Sequence, residues 1–149
     1  MNESVCPECG AVHLDDATCE TDFHQLLAWE SEDPQRWEVH HLTVLCYHLQ
    51  HPSLYSPETL TGGLQLLTDF VEGGVTPGEI RRRNKVKLSS THRKFKITGT
   101  VDRHGAHDRP ILWTMRAVDV VAAGPDRYCE SVRAWARAMQ AVLKIAPIA

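Results

Sequence analysis

Proline sets the frame of this chain by marking where helices begin. Asp33-Pro34, Ser56-Pro57 and Thr76-Pro77 each put a capping side chain directly before a proline. Proline is tolerated at a first helical position, where the amide it lacks has no intrahelical partner. Thr21 supplies another cap, over DFHQLLAWES, where Phe23, Leu26, Leu27 and Trp29 are apolar. Between these signals the apolar residues recur with helical period. In PQRWEVHHLTVLCYHLQ they are Val39, Leu42, Cys46 and Leu49, and in the next segment Leu60, Leu64, Leu67 and Val71, ending at Gly73-Gly74. Thr76-Pro77 opens a short basic helix, and Thr114 to Ala123 reads as another. Asp126 is placed to cap the last, whose Tyr128, Val132, Trp135, Met139 and Val142 form one core face.

These signals predict a mostly α-helical fold, a small helical bundle. The exceptions lie at two places. Residues 1–19 show neither helical nor strand period, and residues 89–110 mix a short alternating piece, FKIT, with the turn formers of TVDRHGAHDRP, so an irregular loop is expected there. At 149 residues the chain suits a single domain, 1–149, with residues 1–19 as a cysteine-bearing loop and 20–149 as the bundle.

Order in the first nineteen residues needs a source other than a hydrophobic face, and CPECG supplies one. Cys6 and Cys9 flank Pro-Glu and precede Gly10, a knuckle in which two thiolates turn toward one ion, and Cys19 adds a third. A structural site wants a fourth ligand. His13 is nearest in sequence, in the order Cys-x2-Cys-x3-His-x5-Cys, one residue off the spacing of nucleic-acid zinc knuckles. Acidic residues surround it where such a knuckle needs basic and aromatic ones. His51 ends its helix beside Pro52 and is the favoured fourth ligand, with His13 and His40 behind it. The expected ion is Zn2+. A redox pair and a metal-free turn are the competing readings of CPECG, although no strand-helix-strand unit of the redox kind is visible.

The histidine helix carries His40, His41, His48 and His51. His40 and His51 share a face but stand about 16 Å apart along the axis, too far to bind one ion together. A packed or hydrogen-bonded ring is the expectation for most of these histidines. Glu38 and His41 make a single Glu-x-x-His, half of the motif of carboxylate-bridged di-metal bundles. Cys46 and Cys129 read as core thiols.

Several segments together resemble an uncharacterised bacterial family of unknown function. They are CPECG, the later Cys19, LLAWESEDP, VHHLTVLCYHLQHP, FVEGG and the C-terminal VRAWARAMQ. The resemblance points to Cys6, Cys9, Cys19, Glu30, His40, Tyr47, Gln50 and His51, and implies no activity. It breaks at two positions. Leu45 stands where the family helix tends to have aspartate, and Gly63 where the next helix tends to have histidine.

Charge is distributed unevenly. Residues 1–33 carry nine carboxylates and no Lys or Arg, whereas residues 81–96 carry eight cations and no acid, within a net charge of −3. Arg81, Arg82, Arg83, Lys85 and Lys87 are the candidate contacts for an anionic or protein partner, or for the acidic head of the chain itself. No transmembrane run is present, and MNESVCPECGAVHLD has neither the basic start nor the apolar stretch of a secretory signal, which points to the cytoplasm.

The sequence shows no nucleophile elbow, phosphate loop, dinucleotide fingerprint or His-Glu-x-x-His. The reading is a zinc-binding helical protein whose metal is structural, acting as an interaction or binding module. The alternatives are a metal-dependent hydrolase using the His40–His51 helix, and nucleic-acid binding through residues 81–96.

Overall fold

The computed structural model describes residues 2–82 and 97–145. It is mostly helical and small. A β-hairpin of β1 (Glu3–Val5) and β2 (Val12–Leu14) precedes α1 (Cys19–Glu32), α2 (His40–Gln50), α3 (Pro57–Val71), α4 (Ala117–Ala123) and α5 (Tyr128–Leu143). Residues 77–82 are also helical.

The hairpin is a departure from the sequence expectation of a loop without period. Its strands are three residues each, paired Glu3 to Leu14, Ser4 to His13 and Val5 to Val12. The polarity is inverted: His13 faces inward, while Val12 and Leu14 are exposed. A reversed pattern of three residues leaves no apolar alternation to read.

Three of the capping signals act as the sequence implies. Asp33 Oδ1 accepts from the Gln35 amide at 3.0 Å, Ser56 Oγ from Thr59 at 3.2 Å, and Thr76 Oγ1 from Glu79 at 3.2 Å. The fourth cap moves. Thr18 caps α1, its hydroxyl accepting from the Thr21 amide while Thr21 Oγ1 accepts from the Thr18 amide. This reciprocal box uses Thr21 as the third helical residue and puts Cys19 at the first. The last helix likewise starts after Arg127 without a side-chain cap, and not from Asp126; its first amide, on Tyr128, donates to the Pro125 carbonyl.

The segment expected as one helix after Pro34 is two. A 3-10 stretch, Pro34–Val39, leads into α2. The chain reverses there over the end of α1, with Arg36 Nη1 donating to the Trp29 carbonyl and His40 meeting Glu30. The stripe still holds, since Val39, Leu42, Cys46 and Leu49 are all buried.

Helix α2 packs against α3 and α5, and α5 also touches α3 and α4 while α4 lies on α1. Leu26, Leu49, Leu67, Val120, Val132 and Trp135 are completely buried between them. The two positions where the family resemblance breaks are neighbours. A Cβ on Gly63 would lie 3.3 Å from Leu45 Cδ1 and 3.1 Å from Leu49 Cδ2, so leucines fill the space over the glycine.

The described part of the expected irregular loop is irregular. It is fastened to the turn after α2 by the Ser56 amide donating to Ile97 O, Gly99 to Leu54 O and Gly105 to Tyr55 O, with one bridge between Tyr55 and Thr98. Beyond it, the segment leading to α4 contributes the buried Trp113. Of the basic segment, Arg81 and Arg82 are exposed; Arg83, Lys85 and Lys87 lie outside the described residues. Among the described residues no helix is long and apolar enough to cross a membrane.

Candidate metal centre

Three separate elements deliver four ligand atoms to one point. Cys6 and Cys9 come from the loop joining the hairpin strands, Cys19 from the first residue of α1, and His51 from the residue that ends α2. One ligand atom from each lies within 4.8 Å of every other. All five cysteines are free thiols.

Local backbone geometry makes the knuckle. The Gly10 amide donates to the Cys6 carbonyl at 2.9 Å and the Cys6 amide to Ala11 O at 2.8 Å. Gly10 sits at φ +82°, a conformation costly for any residue with a Cβ. The turn aims the Cys9 amide at Cys6 Sγ (3.5 Å) and the Ala11 amide at Cys9 Sγ (3.4 Å), where they stabilise sulfur charge. Cys19 occupies the first position of α1, where the helix dipole favours negative charge. At the loop tip Glu8 Oε1 accepts from the Ser53 amide at 3.0 Å, fixing the knuckle to the turn beyond His51.

His51 is oriented for coordination. Its Nδ1 lies 2.7 Å from the Tyr47 carbonyl, which it meets as a donor, so Nε2 is the nitrogen left for a metal ion, which would take the place of a proton there. That nitrogen is buried and makes no hydrogen bond among the described residues. Tyr47, stacked on Phe23 at 4.1 Å, walls the ring on one side. Burial alone would push His51 down. The Cys9 sulfur and the Tyr47 carbonyl facing its two nitrogens, with the charge of Cys9 and Cys6, hold it up at about 9.

The sulfurs show the same crowding. Cys9 and Cys19 Sγ are 3.4 Å apart. This contact outweighs burial and, with His51 and the Ala11 amide, draws Cys9 down to about 4, while it pushes Cys19 well up. Two adjacent thiolates repel when no cation lies between them, and a dication removes that conflict. The donor set therefore fits a metal ion: three sulfurs in mutual reach and an orphaned, buried imidazole nitrogen pointed at them.

His13, the nearer candidate in sequence, lies just outside this group. Its Nε2 is 3.3 Å from Cys19 Sγ and its Nδ1 is 3.7 Å from Asp22 Oδ2, an oxygen that is buried and has no hydrogen-bond partner among the described residues. Burial, only partly offset by His13, pushes the Asp22 carboxyl up. His13 is placed to donate to a ligand sulfur, an outer role that orients the ligand.

The other flagged residues go elsewhere. His40 pairs with Glu30, not with His51. Gln50 donates to the Met115 carbonyl at 2.7 Å. His48 donates to the Val44 carbonyl and stacks on Tyr55, and His41 packs edge-on against Phe70. Glu38 is paired with Arg133 at 3.1 Å, so the Glu-x-x-His does not converge. Cys46 is wholly buried, which pushes its thiol up; Cys129 is only half-buried, at the edge of the core.

One contributor has no sequence signal. Arg116 Nε donates to the Cys9 carbonyl at 2.6 Å, across 107 positions, and its guanidinium covers Gly10.

The fold and the site together define a small helical protein with an N-terminal Cys3His cluster able to hold a metal ion. The chain belongs to a family of unknown function (DUF5946), whose model matches residues 4–144. No curated protein and no solved structure matches it.

Proposed function

We propose that the chain is a zinc-clipped helical module in which the metal is structural and the module serves an interaction. The observation that carries this reading is the buried, unpartnered Nε2 of His51 set among three cysteine sulfurs. Three thiolates and an imidazole suit Zn2+, and a closed set of four protein ligands leaves no position for the water that a catalytic zinc keeps. The ion would join the hairpin to the start of α1 and the end of α2, beside the stack of Phe23 on Tyr47. Binding energy of this kind contributes directly to folding, on the order of 10 kcal/mol for small zinc domains.

A reducing cytoplasm is the matching compartment, because three thiols this close would be oxidised elsewhere. The partner contact we assign is the basic segment, residues 81–96, on its sequence charge alone: eight cations and no acid. An anionic protein surface is the partner that such a run selects.

The test is metal content per chain by elemental analysis, on protein purified without added metal. Wild type should carry one zinc; Cys6→Ser and Cys9→Ser should lose it together with cooperative folding, and His51→Ala should lose or weaken it. Wild-type protein without metal would overturn the reading. Two equivalents would move a metal-dependent hydrolase to the front.

A further inference from the structure

Among the described residues the most deeply buried carboxylate is Glu30, 1 % exposed, at the end of α1. Both its oxygens are committed. His40 Nδ1–H donates to Oε1 at 2.6 Å, and the Tyr128 hydroxyl donates to Oε2 at 2.5 Å. Thr43 Oγ1 stands 3.0 Å from the Tyr128 hydroxyl, and Trp29 packs edge-on against the Tyr128 ring. Groups from α1, α2 and α5 thus hold one carboxylate in one orientation.

The imidazole on the other side of this bond faces outward. The His40 side chain is 33 % exposed. With Nδ1 engaged by Glu30, the remaining ring nitrogen is Nε2, and no hydrogen bond from a described residue reaches it. Trp37 lies against the ring, centroids 4.1 Å apart, and is itself 54 % exposed. A large aromatic left half in water beside an oriented imidazole offers a stacking face to a planar apolar group. The pair is separate from the cysteine cluster, since His40 begins α2 and His51 ends it.

We propose that Glu30 and His40 form a second, metal-independent chemical site, in which His40 is the general base for hydrolysis of a small ester whose planar aromatic group rests on Trp37. Nε2 takes a proton from water as the water oxygen bonds to the ester carbonyl carbon. The tetrahedral intermediate then collapses with cleavage of the bond to the leaving oxygen, and the imidazolium returns the proton to that oxygen. Glu30 touches no substrate. It is a positioning residue that fixes the ring's tautomer and balances the imidazolium charge.

The experiment is steady-state hydrolysis of p-nitrophenyl acetate by the full, metal-loaded chain, with N-acetylhistidine at equal concentration as reference. The expected result is saturable hydrolysis faster than the reference. His40→Gln should lower kcat by tenfold or more, and Glu30→Gln by roughly tenfold with KM unchanged. Trp37→Leu should raise KM severalfold with little change in kcat. Because His40 also partners a buried carboxylate, His40→Ala is assayed with added imidazole. Saturable recovery of the rate supports a chemical role, since a merely structural loss would not respond. The proposal is overturned if wild type is no faster than N-acetylhistidine, if folded His40→Gln matches wild type, or if imidazole restores nothing. An unchanged KM in Trp37→Leu would overturn the aromatic-ester assignment.

Discussion

Arg116 reaches from the start of α4 to donate from Nε to the Cys9 carbonyl at 2.6 Å. The contact ties the C-terminal half of the protein to a knuckle made by the first ten residues. A charge-assisted bond in a half-buried setting contributes about 1–2 kcal/mol. Arg116→Met should lower unfolding stability by that amount and speed metal release to a chelator severalfold. Chelator-driven loss followed by a chromophoric metal indicator measures it. Release at the wild-type rate would mean that the knuckle holds its shape without the C-terminal half.

The placement of His13 separates two roles that sequence spacing leaves open. A ligand lost by substitution should abolish stoichiometric binding, whereas a residue that only donates to a ligand sulfur should weaken it. His13→Phe should therefore retain one metal per chain with affinity about 10- to 100-fold lower. His51→Ala should fall further. The reverse order, measured by competition with a chelator of known affinity, would exchange the two histidines.

What was legible in the sequence follows the range of the interaction. The buried stripes of α2 and α5 and the caps at Asp33, Ser56 and Thr76 are local, set by residues three or four apart, and they read directly. The three cysteines were legible because a knuckle is also local. His51 stands at a helix end beside Pro52, a local signal of where the chain turns, and its ligand atom lies within 4.8 Å of those of the three cysteines. The contacts of Arg116 with Cys9 and of Tyr128 with Glu30 span 107 and 98 positions and leave no periodic trace. The hairpin escaped for another reason, since its inward residue is a histidine and its outward ones are Val12 and Leu14. The split between the 3-10 stretch and α2 depends on how the chain folds back over α1, which propensity does not record.

Gly63 and Leu45 explain each other. The leucine occupies space that a side chain on Gly63 would need. Gly63→Ala should cost about 1–3 kcal/mol through overpacking. Leu45→Asp alone should cost several, by burying a carboxylate without a partner. If the two positions form one polar unit where the resemblance has aspartate and histidine, Leu45→Asp with Gly63→His should be less destabilising than the sum of the single changes. A double-mutant cycle from urea unfolding reads this coupling, and strict additivity would show that the positions are neighbours without being partners.

Acid sensitivity should have a component that owes nothing to the metal site. Burial, with the charges of His40 and Arg133, pushes His41 below its ordinary 6.5. Below that value the unfolded chain binds a proton that the folded chain refuses. Stability contributed by the neutral ring is therefore present above about 6.5 and is lost as pH falls further. His41→Leu, which keeps an apolar group against Phe70, removes this titration. Urea midpoints for wild type and variant, both metal-loaded, at about pH 7.5 and about pH 5.5 should show a smaller acid-induced drop in the variant. Metal loss acts on both chains alike and cancels in the comparison, so equal drops would mean that His41 takes up its proton in the folded state as readily as in the unfolded one.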